Sequence, residues 1–519
     1  MKKFLVLCLV TFITILSVSC IQQEEVFYEK FSVKAGEEAL VDFPEFALPK
    51  TATEIKLPKG IYPKTYLSEG FFTVSKEKDA DSGLGVLSPD GKVVVPLEYD
   101  RIQMDGPFIM ASRQEGDGVE NYFYYKDGEE IPLSVTELEL VFYALDDNFF
   151  CISDDTESQV FDKKGRASFV QNFPSTTTYS AFDDYIQVYD PTTQYNGIYE
   201  VYNGFARHIK SYIGNVSGGI VYNITYSGKD TFIVLQTSIN GSDFDYVMKN
   251  EETGNPDKYG QKVFLYDGKK YEEKEIDLDF HILSIRNMFS PGLTYENRKS
   301  FAIKEGFSNV WIVKTDENKN LVDTTAHIMD SKCRITLNFE GDVGGDMLRF
   351  ANGVGFGGAS LENFQTGLFA LDGSLLWSNN DFSYHTQSYN DGFLVVGKGG
   401  TEGVSYGVFD KEGQLIIPLE YDFISNFADG CALARKNGGW IRLFSNGDVE
   451  NFDYHNAKLD NLSYFTYLYT LEGKVGVENF KGERIIPCEY DEALCYGYSN
   501  YTLYYALIKG EECSLFVVK

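Results

Sequence analysis

The spacing of a few residues, repeated in three separated stretches, limits what this chain can fold into. In residues 83–102, 405–424 and 474–493 a glycine is followed six residues later by a second glycine, five later by proline, and three later by Tyr-Asp. The positions are Gly85, Gly91, Pro96 and Tyr99; Gly407, Gly413, Pro418 and Tyr421; and Gly476, Gly482, Pro487 and Tyr490. The second glycine closes S-P-D-G, D-K-E-G or N-F-K-G. Ser, Asp or Asn at the first position suits a type I turn, and the glycine takes the positive φ that lets a hairpin continue. Aliphatic runs such as 93–95 and 415–417 suit short strands. Proline cannot donate to a ladder, so it marks a strand end or a sheet edge. Recurrence favours packing between neighbouring units as the role of the three tyrosines, over a ladder of ligand-stacking rings.

The turn glycine serves as a ruler for weaker copies. Turns are expected at Gly91, Gly128, Gly165, Gly204, Gly268, Asn318, Gly373, Gly413, Gly447 and Gly482, in steps of 37, 37, 39, 64, 50, 55, 40, 34 and 35 residues. Periods of this size point to propellers, solenoids or arrays. With further apolar runs beside the turns, each unit reads as three consecutive antiparallel strands. The chain ends on two strands, 504–509 and 513–519, and an isolated strand at 54–58 could complete the final unit. The expectation is an all-β repeat body, propeller-like and closed in that way, since closure hides sheet edges. Two smaller propellers or an open β-superhelix remain alternatives for so many units.

These residues resemble the WG-repeat family, whose units read Trp/Tyr-Gly, apolar residues, a D-x-x-G turn, aliphatics, proline and Tyr-Asp. Tyr406-Gly407, Val475-Gly476 and Leu84-Gly85 occupy the name-giving pair, and Trp440-Ile441 keeps the tryptophan in a weaker copy. The resemblance is strong at both ends of the chain and faint between about 130 and 350. It implies repeat architecture and no catalytic residues.

Residues 1–19 read as a secretory signal: Lys2 and Lys3, an apolar stretch at 4–18, then small residues before Cys20. A cysteine in that place resembles a bacterial lipobox, with Ser17 where leucine is usual. By that resemblance Cys20 carries a lipid, residues 20–50 form a tether and lead-in, and 51–519 form the repeat body. The expected location is the bacterial envelope, at the outer membrane. The segment Gln22–Glu25 weakly resembles a surface-export signal, and the facing stays open between periplasm and exterior.

A formal charge of −31 repels phosphate backbones and excludes nucleic acid as a partner. Cys431, Cys488, Cys495 and Cys513 gather near the C-terminus without C-x-x-C spacing. They read as buried thiols, with a disulfide as the alternative. His208, His281, His327, His385 and His455 show no metal-ligand spacing, and no metal or cofactor is expected. The G-x-S-x-G match around Ser405 precedes a strand, whereas a nucleophile elbow needs a helix there. The glycine-rich run 353–358 likewise lacks a following helix. The expected function is therefore a non-catalytic binding or scaffolding module for a protein or glycan partner. The alternative is a polysaccharide-active enzyme with paired carboxylates at a propeller mouth.

Overall fold

The computed structural model describes residues 47–519, apart from internal stretches of which 287–305, 339–348 and 359–365 are the longest. The signal segment, Cys20, most of the tether and the turn at Gly373 lie outside the described residues. Among the described residues there are strands and no α-helix. They form eleven antiparallel sheets in chain order, each of four strands except the fifth, which has five. The sheets cover 62–99, 101–136, 141–174, 178–213, 220–276, 282–338, 349–379, 384–421, 423–451, 457–490 and 492–518.

The unit thus has four strands, where the sequence pointed to three. The missed strand is the first of each sheet, and in the three units that follow a clear copy it begins directly after the Tyr-Asp pair, at Arg101, Phe423 and Glu492. R-I-Q-M-D mixes polar and apolar residues and is only partly buried, so it lacks the apolar signature of the strands behind it. First strands lie against one another between neighbours: Tyr62–Tyr66 against Glu492–Ser499, and Ile220–Tyr226 against Ile282–Arg286.

The eleventh sheet is completed from the other end of the chain. Ala52–Lys56 pairs antiparallel with Glu512–Val518, setting Glu54 opposite Phe516 and Ile55 opposite Leu515. Lys50 N–H adds a bond to Lys519 O at 3.2 Å. The eleventh sheet also touches the first, where Phe72, Val74 and Leu87 pack with Tyr504 and Leu515. The two ends of the array therefore meet.

The core is a series of layers between sheets. Val86, Val95 and Tyr99 of the first sheet bury with Ile109, Ala111 and Tyr124 of the second. Val395, Val408 and Ile417 of the eighth bury with Ile424, Ala432 and Leu443 of the ninth. Leu48, just before the first described strand, is buried among Cys431, Leu433 and Tyr467. Because the described units bury their apolar faces mainly against their neighbours, stability approximates a sum of adjacent interfaces.

The turns differ from expectation in the faint middle of the chain. Gly91, Gly128, Gly165, Gly204, Gly413, Gly447 and Gly482 all take positive φ, between +73° and +91°. Gly268 does not, and at the next turn the positive φ falls on Lys319, at +65°, and not on Asn318. The sixth sheet's equivalent turn is D-S-K-C, with Cys333 at φ +58° where other units have glycine. A non-glycine residue there hides the turn from any search for glycine.

Candidate binding surface

In all three clear copies the fourth strand bulges. Leu84 pairs with Tyr99 while Val86 pairs with Val95, leaving Pro96, Leu97 and Glu98 opposite Gly85 alone. The same shift occurs at Tyr406–Tyr421 and Val475–Tyr490. The bulge presses the backbone inward: a β-carbon on Gly85 would stand 2.5 Å from Val95 O, and on Gly476 2.7 Å from Ile486 O. The first glycine is thus set by close approach, and proline suits a bulge whose N–H has no ladder partner.

After the bulge, three consecutive side chains reach the next unit. Tyr99 is buried against Tyr122 and Tyr124, Tyr421 lies within the ninth sheet's core, and the Tyr490 ring meets Phe516 edge-on at 5.3 Å. Asp100 accepts the N–H of Gln114 at 2.8 Å, Asp422 that of Gly438 at 3.2 Å, and Asp491 that of Gly510 at 2.6 Å. The glutamate before the tyrosine ion-pairs with a cation on the next unit's second strand: Glu98 with Arg113, Glu420 with Lys436, and Glu489 with Lys509. The sequence reading passed over this glutamate, although it stands before the tyrosine in every clear copy. Burial raises the tyrosine hydroxyls, Tyr490 to about 12, while the Gly510 N–H and the Lys474 ammonium hold Asp491 below the usual carboxylate range.

Other candidates stay dispersed. His327 is buried and shares a hydrogen bond with Thr325 Oγ1 at 2.7 Å. His208 packs edge-on to Tyr199, and His281 Nδ1 lies 3.8 Å from Asp245. The side chains of His385 and His455 lie outside the described residues. No group of three or more His, Cys, Asp or Glu side chains is placed to hold a metal among the described residues. Cys151, Cys333, Cys431, Cys488, Cys495 and Cys513 are free thiols. Burial pushes the Cys431 thiol up to about 11. Ser405 sits inside the strand Gly403–Asp410, and the glycine-rich run contributes the strand Val354–Gly358.

An exposed aromatic surface, absent from the sequence reading, lies on the fourth sheet. Its last hairpin turns through Asn203 and Gly204, at φ +52° and +85°, a pair suited to a tight hairpin. Tyr202 and Phe205 face each other across that turn, 74% and 57% exposed. Two residues further in, Glu200 pairs with Arg207. Tyr271 of the fifth sheet donates to Glu200 Oε2 at 3.1 Å, and the Arg207 guanidinium lies 5.4 Å from the Tyr271 ring centroid. From the third sheet, Arg166 stands 5.8 Å from the Phe205 centroid while both its Nε and Nη2 bond Asp162 Oδ2. Aromatic rings and guanidinium groups held in place by neighbours are the side chains that dominate binding at interfaces. The middle of the chain, where the repeat is faint, carries this surface.

No curated protein matches the sequence. Among solved structures, Porphyromonas gingivalis dipeptidyl peptidase 4 is 11% identical, with a TM-score of 0.33, over 93% of this chain and 66% of that one. The β-propeller domain of the Trilobed protease from Pyrococcus furiosus is 8% identical, with a TM-score of 0.26, over 68% and 97%. A eukaryotic initiation factor is 10% identical, with a TM-score of 0.32, over 76% and 97%. Residues 406–440, which run from the eighth sheet into the ninth, match the WG containing repeat, so this stretch of the chain carries that family's repeat.

Proposed function

We propose that this protein is a non-catalytic binding or scaffolding module for a protein or glycan partner, held in a bacterial envelope by a lipid on Cys20. The observation that carries the binding reading is the surface of Tyr202, Phe205, Tyr271 and Arg207, large exposed side chains brought together from the fourth and fifth sheets. Tyrosine presents an apolar face with a polar edge, which suits either kind of partner. The envelope reading rests on the signal-like segment before Cys20 and the acidic residues Glu24 and Glu25 after it.

A photo-crosslinking residue at position 202 in intact cells should trap a defined partner. The same residue at exposed Val449, on the ninth sheet, should not. Equal labelling from both positions would defeat the assignment of this surface. Fatty-acid labelling should be lost in Cys20→Ser, and a variant labelled as strongly as the parent would remove the lipid anchor.

A further inference from the structure

The last strand of a sheet leaves a row of N–H and C=O groups that another chain can pair with, and proteins blunt such edges with proline, charge or short length. This chain does so repeatedly. Pro96, Pro132, Pro174, Pro418 and Pro487 lie in the last strands of the first, second, third, eighth and tenth sheets. The fifth sheet places the charged strand Glu272–Ile276 on its outer side, and the ninth ends on the three residues Val449–Asn451.

The fourth sheet is different. Its last strand, Phe205–Ile213, has nine residues, F-A-R-H-I-K-S-Y-I, and no proline. Ala206 N–H is bonded to Ser168 O at 2.8 Å. Beyond it, among the described residues, no strand or backbone group pairs with the outer side of 207–213. His208, two residues on from Ala206 in the same ladder, turns its N–H the same way. Ile213 is 66% exposed at the far end.

The two cations of the strand are each offset by a carboxylate on a neighbouring strand. Arg207 is paired with Glu200, and Lys210 with Glu273 at 3.2 Å. An approaching segment therefore meets the field of a chain with net charge −31. That field repels a second copy and draws in a cation.

We propose that the open stretch 207–213 of this strand is a docking edge to which an extended, cationic segment of a partner protein adds as a further strand. Backbone hydrogen bonds would supply the affinity, and Phe205 and Ile213 would select the segment's apolar side chains. The proposal rests on the binding-module reading and narrows it to a peptide ligand and one mode of contact.

The test is hydrogen exchange on the full chain with an acetylated peptide of alternating lysine and valine, as long as the strand. Exchange of the outward-facing amides of 207–213, that of His208 among them, should slow roughly tenfold or more. A glutamate–valine peptide should give no protection. His208→Pro removes an outward donor without touching the ladder and should abolish the protection. Should that variant melt early, Ile213→Lys, at an exposed position, should still weaken protection. Protection that is absent, spread evenly over the acidic surface, or unchanged in both variants would overturn the proposal. So would an outward amide, that of His208 above all, that is already slow before peptide is added. A partner crosslinked at position 202 without this protection would leave the binding module standing and remove the strand-addition mode.

Discussion

Tyr66 of the first sheet lies against Gly497 of the eleventh so closely that a β-carbon on Gly497 would stand 1.9 Å from Tyr66 Cδ2. The Tyr66 hydroxyl donates to Tyr498 O at 2.9 Å, and its ring lies 6.4 Å from that of Tyr504, inclined by 29°. Gly70 repeats the device, with Tyr504 Cζ 2.5 Å from where its β-carbon would be. Aromatic rings on bare backbone thus form the seam where the chain's two ends meet.

Gly497→Ala should therefore cost about 1–3 kcal/mol by overpacking, because Tyr66 is hemmed in by Phe72 and Tyr504. Exchange should rise first in Tyr62–Tyr66 and Glu492–Ser499. A variant whose exchange rises elsewhere but not at these strands would show that the seam is not the weak point.

Asp491 links acid stability to a single corner between units. Its carboxylate accepts Gly510 N–H and contacts Lys474, and these hold its pKa below 3.8. A carboxylate with a depressed folded pKa contributes stability that is present above the unfolded value and lost as pH falls through the folded one. Asp491→Ala should therefore unfold at lower urea than the parent above about pH 5, with the gap closing as pH drops toward 2. A gap of constant size down to the lowest pH would exclude the carboxylate as its cause.

Arg442 should be the costliest polar side chain to remove from the ninth and tenth sheets. It is buried and donates to Phe480 O at 2.9 Å, Glu450 at 3.0 Å and the Tyr467 hydroxyl at 3.0 Å. Hydrogen bonds involving a charged group contribute about 1.5–3 kcal/mol, so Arg442→Ala should lose at least that much. Arg442→Lys should recover little, because one ammonium cannot reproduce the fork. Combined with Tyr467→Phe, the loss should be less than the sum of the two; strict additivity would mean that the pair is not coupled.

The parts of the fold legible in the sequence were those set by the backbone itself. Gly85, Gly407 and Gly476 face a bulge that leaves no room for a side chain, and Gly413 takes a positive φ, so these positions repeat without change. The pairing of the N-terminal strand with the last sheet was legible too, from two strands at the end of the chain and an isolated one at 54–58 that could complete their unit. The first strand of each unit was not, because its half-exposed residues carry no clean alternation. Cys333 at φ +58° obeys the turn's geometry without its usual residue. The surface around Tyr202 was invisible for another reason: it comes from three sheets in the faint region, and no spacing along the chain records their approach.

Alkaline pH should unfold the protein steeply. Burial pushes Tyr246 and Tyr490 up to about 12, and Tyr179, Tyr212 and Tyr467 higher still. For a phenol whose folded pKa is raised, the stabilisation is complete below the unfolded value near 10 and is lost as pH rises through the folded one. A rapid jump to about pH 11 should show tyrosinate absorbance from the exposed tyrosines at once and from the buried ones only as the chain unfolds. All the absorbance appearing in the first phase would contradict the burial of these rings.

Gly413 tests whether a turn is only a turn. It closes D-K-E-G at φ +77°, and its N–H bonds Asp410 O at 3.0 Å while Asp410 Oδ1 accepts the N–H groups of Glu412 and Gln414. A β-branched residue forced to positive φ costs about 1–2 kcal/mol. Gly413→Val should lower the melting temperature, with exchange rising first in 405–424 and spreading to the adjoining sheets, because each unit leans on its neighbours. Crosslinking from position 202 should survive below the new melting temperature, since the fourth sheet shares no interface with the eighth among the described residues. Unchanged melting together with lost crosslinking would mean that the glycine serves a ligand and not the chain's own hairpin.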